Sequence, residues 1–73
     1  MHSKLDIAQA DASAIGASVR RAREELGMRQ DELGLAAGVS TRAIHQIESG
    51  KPTSRLDTVS PVLAALGLEL RVE

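Results

Sequence analysis

Between Gln30 and Gly50 the chain reads as two short helices joined by a turn at Gly38. Leu33 and Ala37 share one face of the first helix, and Ile44 and Ile47 share one face of the second. Ser40 is placed to cap the second by accepting from the freed backbone N–H groups of its first turn. Val39 precedes that cap and Ile44 lies at the fourth helical position, which is the spacing of a hydrophobic staple. Gly50 stops the helix and Pro52 prevents its resumption. With the isoleucines turned inward, Thr41, Arg42, His45, Gln46 and Ser49 face outward or tangentially. A polar helix held out by a tight turn is how a small protein enters the major groove of DNA.

The flanking segments supply elements for this pair to rest on. Asp11 or Ser13 can cap a first helix running to about Leu26, with Ile15, Val19, Ala22 and Leu26 on one face. Gly27 then ends it with a positive φ. A last helix ends at Leu66 and Gly67, with Val59, Leu63 and Leu66 as its apolar stripe. Pro61 makes its start ambiguous, since proline inside a helix costs ~3 kcal/mol outside the first turn. Either the helix begins near Asp57, or Ser60 caps a shorter segment that Pro61 opens; a kink or irregular first turn is expected. Residues 68–73 alternate apolar and polar, which is strand patterning. A lone strand cannot satisfy its own backbone groups, and the chain's other candidate is the short Leu5–Ile7 segment, so pairing with the same strand of a second subunit is expected, floored by Leu68, Leu70 and Val72. A frayed tail is the alternative. Residues 1–10 read as a loosely held arm, leaving 11–67 as one helical domain.

Bulk properties narrow the functional classes. Seventy-three residues make one domain, and below about 80 residues a core rarely supplies more than roughly 3–5 kcal/mol. There is no cysteine, and His2 and His45 lack neighbours at metal-ligand spacing, so neither disulfide nor zinc is expected to reinforce it. Oligomerisation is the remaining route. No apolar run approaches the ~20 residues of a membrane span, and the N-terminus has no signal-peptide pattern, so a cytoplasmic protein is expected. The net charge of −1 does not favour nucleic acid, but distribution matters more than total. From Thr41 to Leu56 the charges are Arg42, Glu48, Lys51 and Arg55, a net of +2, while the other acids lie elsewhere. The absence of any aromatic residue removes base stacking and so argues against single-stranded ligands. No catalytic triad, metal cluster or phosphate-cradling glycine loop is present in the sequence, so no enzyme activity and no cofactor are expected.

The residues Gln30, Glu32-Leu33, Gly38-Val39-Ser40, Ile44, Ile47-Glu48, Gly50-Lys51, Pro52 and Leu66-Gly67 resemble the lambda-repressor-like helix-turn-helix family of Xre-type regulators. The ending from Leu63 to Val72 is similar to HipB-type antitoxin repressors. The resemblance implies an all-α domain of four or five helices, with a short C-terminal β-strand pairing across a homodimer. It also implies that Gln30 binds a phosphate while bracing the recognition helix, and that Ser40, Thr41, Arg42, His45 and Gln46 approach phosphates or base edges. Arg23 and Glu48 stand where many members form a partly buried salt bridge. Three departures occur. Arg29 replaces a capping Thr or Ser, Gly34 replaces a small Ala at a cost of about 1 kcal/mol of helix propensity, and Pro61 interrupts a normally continuous helix.

Among the candidates, Arg42 is the first choice for base reading, because its guanidinium can reach guanine O6 and N7 together. A phosphate clamp or a solvated charge is its alternative. Gln46 can bond adenine bidentately or a phosphate, and Thr41 can offer a methyl to thymine or a hydroxyl to phosphate. His45 is a base contact when neutral, a phosphate contact when charged, or a plain surface residue. Lys51 and Arg55 are assigned to the DNA backbone, helped by Ser49 and the amides near Gly50. Arg20, Arg21, Glu24 and Glu25 read as helix-supporting (i, i+4) pairs, with a DNA contact by Arg20 as the alternative. Leu35 lies on the outer side of its helix, where a partner could meet it. The expected function is a dimeric repressor on a pseudo-palindromic operator, acting as the antitoxin of a HipA-type kinase toxin. A stand-alone phage-type regulator, or an interaction module that reads no DNA, are the alternatives.

Overall fold

The computed structural model describes residues 12–51 and 56–68. Four helices occupy them: α1 (Ala12–Glu25), α2 (Gln30–Ala37), α3 (Thr41–Glu48) and α4 (Leu56–Ala65). No strand occurs among the described residues. The helices stop where glycine punctuates the chain. After each one a glycine takes positive φ, and its amide and the next turn back onto carbonyls of the last turn. Gly38 carries the sharpest consequence. At φ 74° it lets Val39 donate to the Gly34 carbonyl at 2.9 Å, closing α2 and aiming the chain into α3.

Helix starts are set by side chains. Ser40 Oγ accepts from the Ala43 amide at 3.0 Å, satisfying one of the orphan donors of α3. Before α2 stands Arg29, a donor that cannot cap in this way. Glu32 compensates by accepting from the Arg29 amide at 2.8 Å, one half of a capping box.

The core is aliphatic. Val19 of α1, Leu33 of α2, Ile44 and Ile47 of α3, and Val59, Val62, Leu63 and the adjoining Leu66 of the last helical segment form one buried cluster. α3 lies against both α1 and α2, and α4 packs mainly on α2 with a smaller contact to α3. Two positions differ from the periodic reading. Leu26 is 59% exposed, because α1 ends at Glu25 and Gly27 turns the chain away before that side chain reaches the core. Val62 is fully buried, so the apolar stripe of α4 is wider than the Val59–Leu63–Leu66 line. α4 begins at Leu56 with Pro61 well inside it, which removes the alternative of a segment capped by Ser60.

Leu68 does not floor a strand. Its amide donates to the Leu63 carbonyl at 2.8 Å and its half-buried side chain packs on the core of the same chain. This is the apolar contact that commonly accompanies a glycine-closed helix end. The remainder of the expected dimer strand, Leu70 and Val72 included, lies outside the described residues, as does the arm at 1–10. No helix among the described residues is long and apolar enough to cross a membrane.

Two mid-helix glycines set how closely the helices approach. A Cβ on Gly16 would collide with the Ile47 carbonyl oxygen, so α1 rests directly on the backbone at the end of α3. At Gly34 a Cβ would lie 2.8 Å from the Val39 carbonyl oxygen. The latter glycine therefore answers a tight approach rather than merely weakening its helix. Replacing Gly16 with Ala is expected to destabilise the fold by about 1–3 kcal/mol through overpacking, although alanine is the better helix former. Gly34→Ala should lower the melting temperature by less. Thermal melts read both, and a raised melting temperature in either variant would mean that the backbone yields at that contact.

Candidate nucleic-acid interface

α3 presents two different faces because its apolar and its polar residues each recur at helical spacing. Ile44 and Ile47 point into the core, and Arg42, His45 and Ser49 are exposed beside the half-buried Gln46. These four outward residues follow helical spacing and form one polar stripe. Ser40 and Thr41 are exposed at the start of the same helix. The cap leaves the Ser40 hydroxyl proton free to donate elsewhere, since the oxygen only accepts from Ala43. The first amides of α3, those of Thr41 and Arg42, have no carbonyl within the helix to meet. The stripe thus offers a guanidinium, an imidazole, a carboxamide and hydroxyls on one rigid surface.

Behind that surface an ion pair holds α3 to α1. Arg23 donates from Nε to Glu48 Oε2 at 2.6 Å and from Nη2 to Oε1 at 3.0 Å. Its third nitrogen, Nη1, donates to the Met28 carbonyl at 2.7 Å, so one side chain links α1, the turn after it and the end of α3. Gln30 adds a bond from its amide nitrogen to Glu48 Oε1 at 3.1 Å, bringing in the start of α2. The side chains of Arg23 and Glu48 are 12% and 5% exposed. Burial by itself would raise the Glu48 carboxyl, but the hydrogen bonds from Arg23 and then Gln30 outweigh it and hold the group below its ordinary value of 4.5. Arg23 is correspondingly raised, chiefly by its bond to Glu48.

Charge is unevenly spent across the surface. Arg29 is engaged by Asp31 at 3.0 Å and Glu32 at 3.8 Å, and Arg20 by Glu24 at 3.2 Å. Arg21 and Glu25 make no such pair. Among the described residues, Arg21, Arg42 and Lys51 are the cations without an ion pair. Arg55 lies outside the described residues. The C-terminal end of α3 departs from the sequence reading. The amides of Ser49, Gly50 and Lys51 donate to the carbonyls of His45, Ile47 and Gln46, so those amides are consumed in closing the helix rather than offered to a phosphate. The Ser49 hydroxyl is likewise given to the His45 carbonyl at 2.7 Å, and must rotate away before it can donate outward.

Sequence reasoning missed Gly16 and the bond from Arg23 to Met28. A signal existed for the first: a glycine in mid-helix beside the core stripe, unfavourable by about 1 kcal/mol unless something needs the space. The second ends on a backbone carbonyl and leaves no trace in residue type. Leu35 is 86% exposed on the outer side of α2.

The ion pair sets a pH dependence. Because the folded carboxyl of Glu48 is depressed, its stabilisation is present above the ordinary carboxylate pKa and is lost as pH falls through the lower folded value. Glu48→Gln should therefore show a flatter decline in denaturant midpoint below about pH 4.5 than the parent. Arg23→Ala strands a nearly buried carboxylate, and should cost about 3–5 kcal/mol at pH 7, enough to unfold much of a domain this small. Parallel declines for Glu48→Gln and the parent would show that other carboxylates govern acid unfolding.

The chain's similarities agree with this geometry. The helix-turn-helix family model matches residues 19–72. A protein of Sinorhizobium fredii (strain NBRC 101917 / NGR234), named as the uncharacterized HTH-type transcriptional regulator y4mF, is 47% identical over 58 residues. That match covers 80% of this chain and 76% of the relative. With a turn at Gly38, a capped and braced third helix and a family match spanning both, the chain belongs to the Xre-type helix-turn-helix family of transcriptional regulators.

Proposed function

We propose that the protein is a sequence-specific transcriptional repressor of double-stranded DNA, working as a homodimer in the cytoplasm. The polar stripe of α3 carries this reading: Arg42, His45, Gln46 and Ser49 stand together on a helix whose back is fixed by two buried isoleucines and the Arg23–Glu48 pair. Arg42 reads a guanine, and Gln46 reads an adenine or holds a phosphate. The N-terminal amides and hydroxyls of α3, with Lys51 and Arg55, hold the DNA backbone, and Gln30 takes a phosphate from the start of α2. No catalytic step and no cofactor enter this function.

The dimer follows from the resemblance of the C-terminal residues, with Leu70 and Val72 packing beneath paired strands. The same resemblance makes the protein the antitoxin of a HipA-type kinase encoded in its own operon, repressing that operon through a pseudo-palindromic site. A stand-alone regulator without a toxin would use the same DNA surface. One observation favours an interaction role beside it, the large apolar side chain of Leu35 held out on α2.

Selection from random duplex DNA at near-physiological salt tests the reading. A pseudo-palindromic consensus is expected, and Arg42→Ala should lose one base preference at a cost of about 1–3 kcal/mol. No enrichment from any pool would leave the fold serving protein contacts alone. Removing residues 69–73 should convert the dimer to a monomer and weaken operator binding. Sedimentation of an unchanged dimer would rule out pairing through that segment.

A further inference from the structure

Beside the polar stripe lies an open polar cleft of about 360 Å³ between α1 and the end of α3. It is lined by the small residues Ser13, Ala17, Ser49 and Gly50 and by the charged side chains of Arg20, Arg21, Glu24 and Glu48. The approach of the two elements at this point is close, since a Cβ on Gly50 would lie 3.0 Å from Ser13 Oγ. Ser49 belongs both to the cleft and to the outward stripe of α3, so the two surfaces are continuous. We infer that this cleft seats the sugar-phosphate backbone flanking the groove that α3 enters, with Arg20 and Arg21 as its phosphate clamps. The inference rests on the DNA-binding reading and extends it to α1, an element outside the helix-turn-helix itself.

Charge selects the ligand. The two carboxylates at the cleft are already answered, Glu24 by Arg20 and Glu48 by Arg23. Counting Arg23, three arginines stand against two glutamates, and the excess charge is that of Arg21, which has no ion pair among the described residues. The Arg20–Glu24 pair is exposed on both sides, 64% and 56%, and such pairs are weak enough to open for a better anion. A guanidinium meets a phosphate with two parallel hydrogen bonds, stronger than that exposed contact. The lining does not suit a small-molecule effector, which needs enclosing apolar walls. It does suit a chain of phosphates passing along an open, shallow trough.

The test uses the full chain, a selected duplex and an unrelated duplex, with affinity measured across graded salt. Each phosphate neutralised contributes about 0.9 to the log–log salt slope. Arg20→Ala with Arg21→Ala should reduce the slope by about one per arginine in each bound protomer. Both duplexes should weaken alike, with the ratio between them unchanged. Arg20→Lys with Arg21→Lys should restore most of the slope, since a point charge suffices for a phosphate. The melting temperature of the variants, read alongside, should stay close to that of the parent because both side chains are exposed. An unchanged slope in the double alanine variant would overturn the inference alone and leave the cleft to an acidic protein partner. An altered base preference would overturn it too, by placing the arginines on bases. A parent protein that binds neither duplex would overturn the DNA reading, and this inference with it.

Discussion

The bidentate pair between Arg23 and Glu48 is the contact on which the geometry of the third helix depends. It is nearly buried, and each of its two side chains has a further partner: Met28 for the arginine, Gln30 for the carboxylate. A buried charge pair of this kind adds little net stability over apolar packing, yet it is costly to break from one side. Its value lies in direction. Apolar contacts between Ile44, Ile47 and the core tolerate small rotations of α3, whereas two parallel hydrogen bonds to a guanidinium do not. Orientation of Arg42, His45 and Gln46 is thereby referred back to α1.

Gly16 makes that pair reachable. With no side chain between them, α1 lies on the carbonyls at the end of α3, and an arginine two turns along α1 meets a glutamate in the last turn of α3. A bulkier residue would lift α1 and lengthen the bridge. The same economy of volume recurs at Gly34, where α2 presses on the turn into α3. In a chain without aromatic residues, close backbone approach replaces the filling of space by large rings.

The sequence disclosed α2 and α3 well because their signals are local: Ser40 beside freed amides, Gly38 and Gly50 at positive φ, isoleucines one turn apart. Leu26 was misplaced because periodicity alone does not tell where a helix stops relative to its core. Alternation assigns Leu68 to a strand because it ignores the helix end before it, where the amide and the side chain are both claimed. Of the interface, side chains on α3 were readable by helical spacing. The fate of the amides after it was not, since backbone hydrogen bonding depends on the turn type rather than on residue chemistry. The cleft beside α1 was hidden for a different reason, as it exists only where residues far apart in the chain meet.

The glycine that closes α3 also bounds how much a single copy can know about a DNA sequence. Eight residues rise about 12 Å at 1.5 Å each, which spans roughly four base pairs at 3.4 Å. A word of that length recurs roughly every few hundred base pairs by chance, against the ~10⁶–10⁹ competing sites of a genome. Gly50 therefore does more than end a helix. By fixing the length of the reading element it makes one copy too poorly informed to single out an address, which is the need that the second copy of the proposed dimer answers.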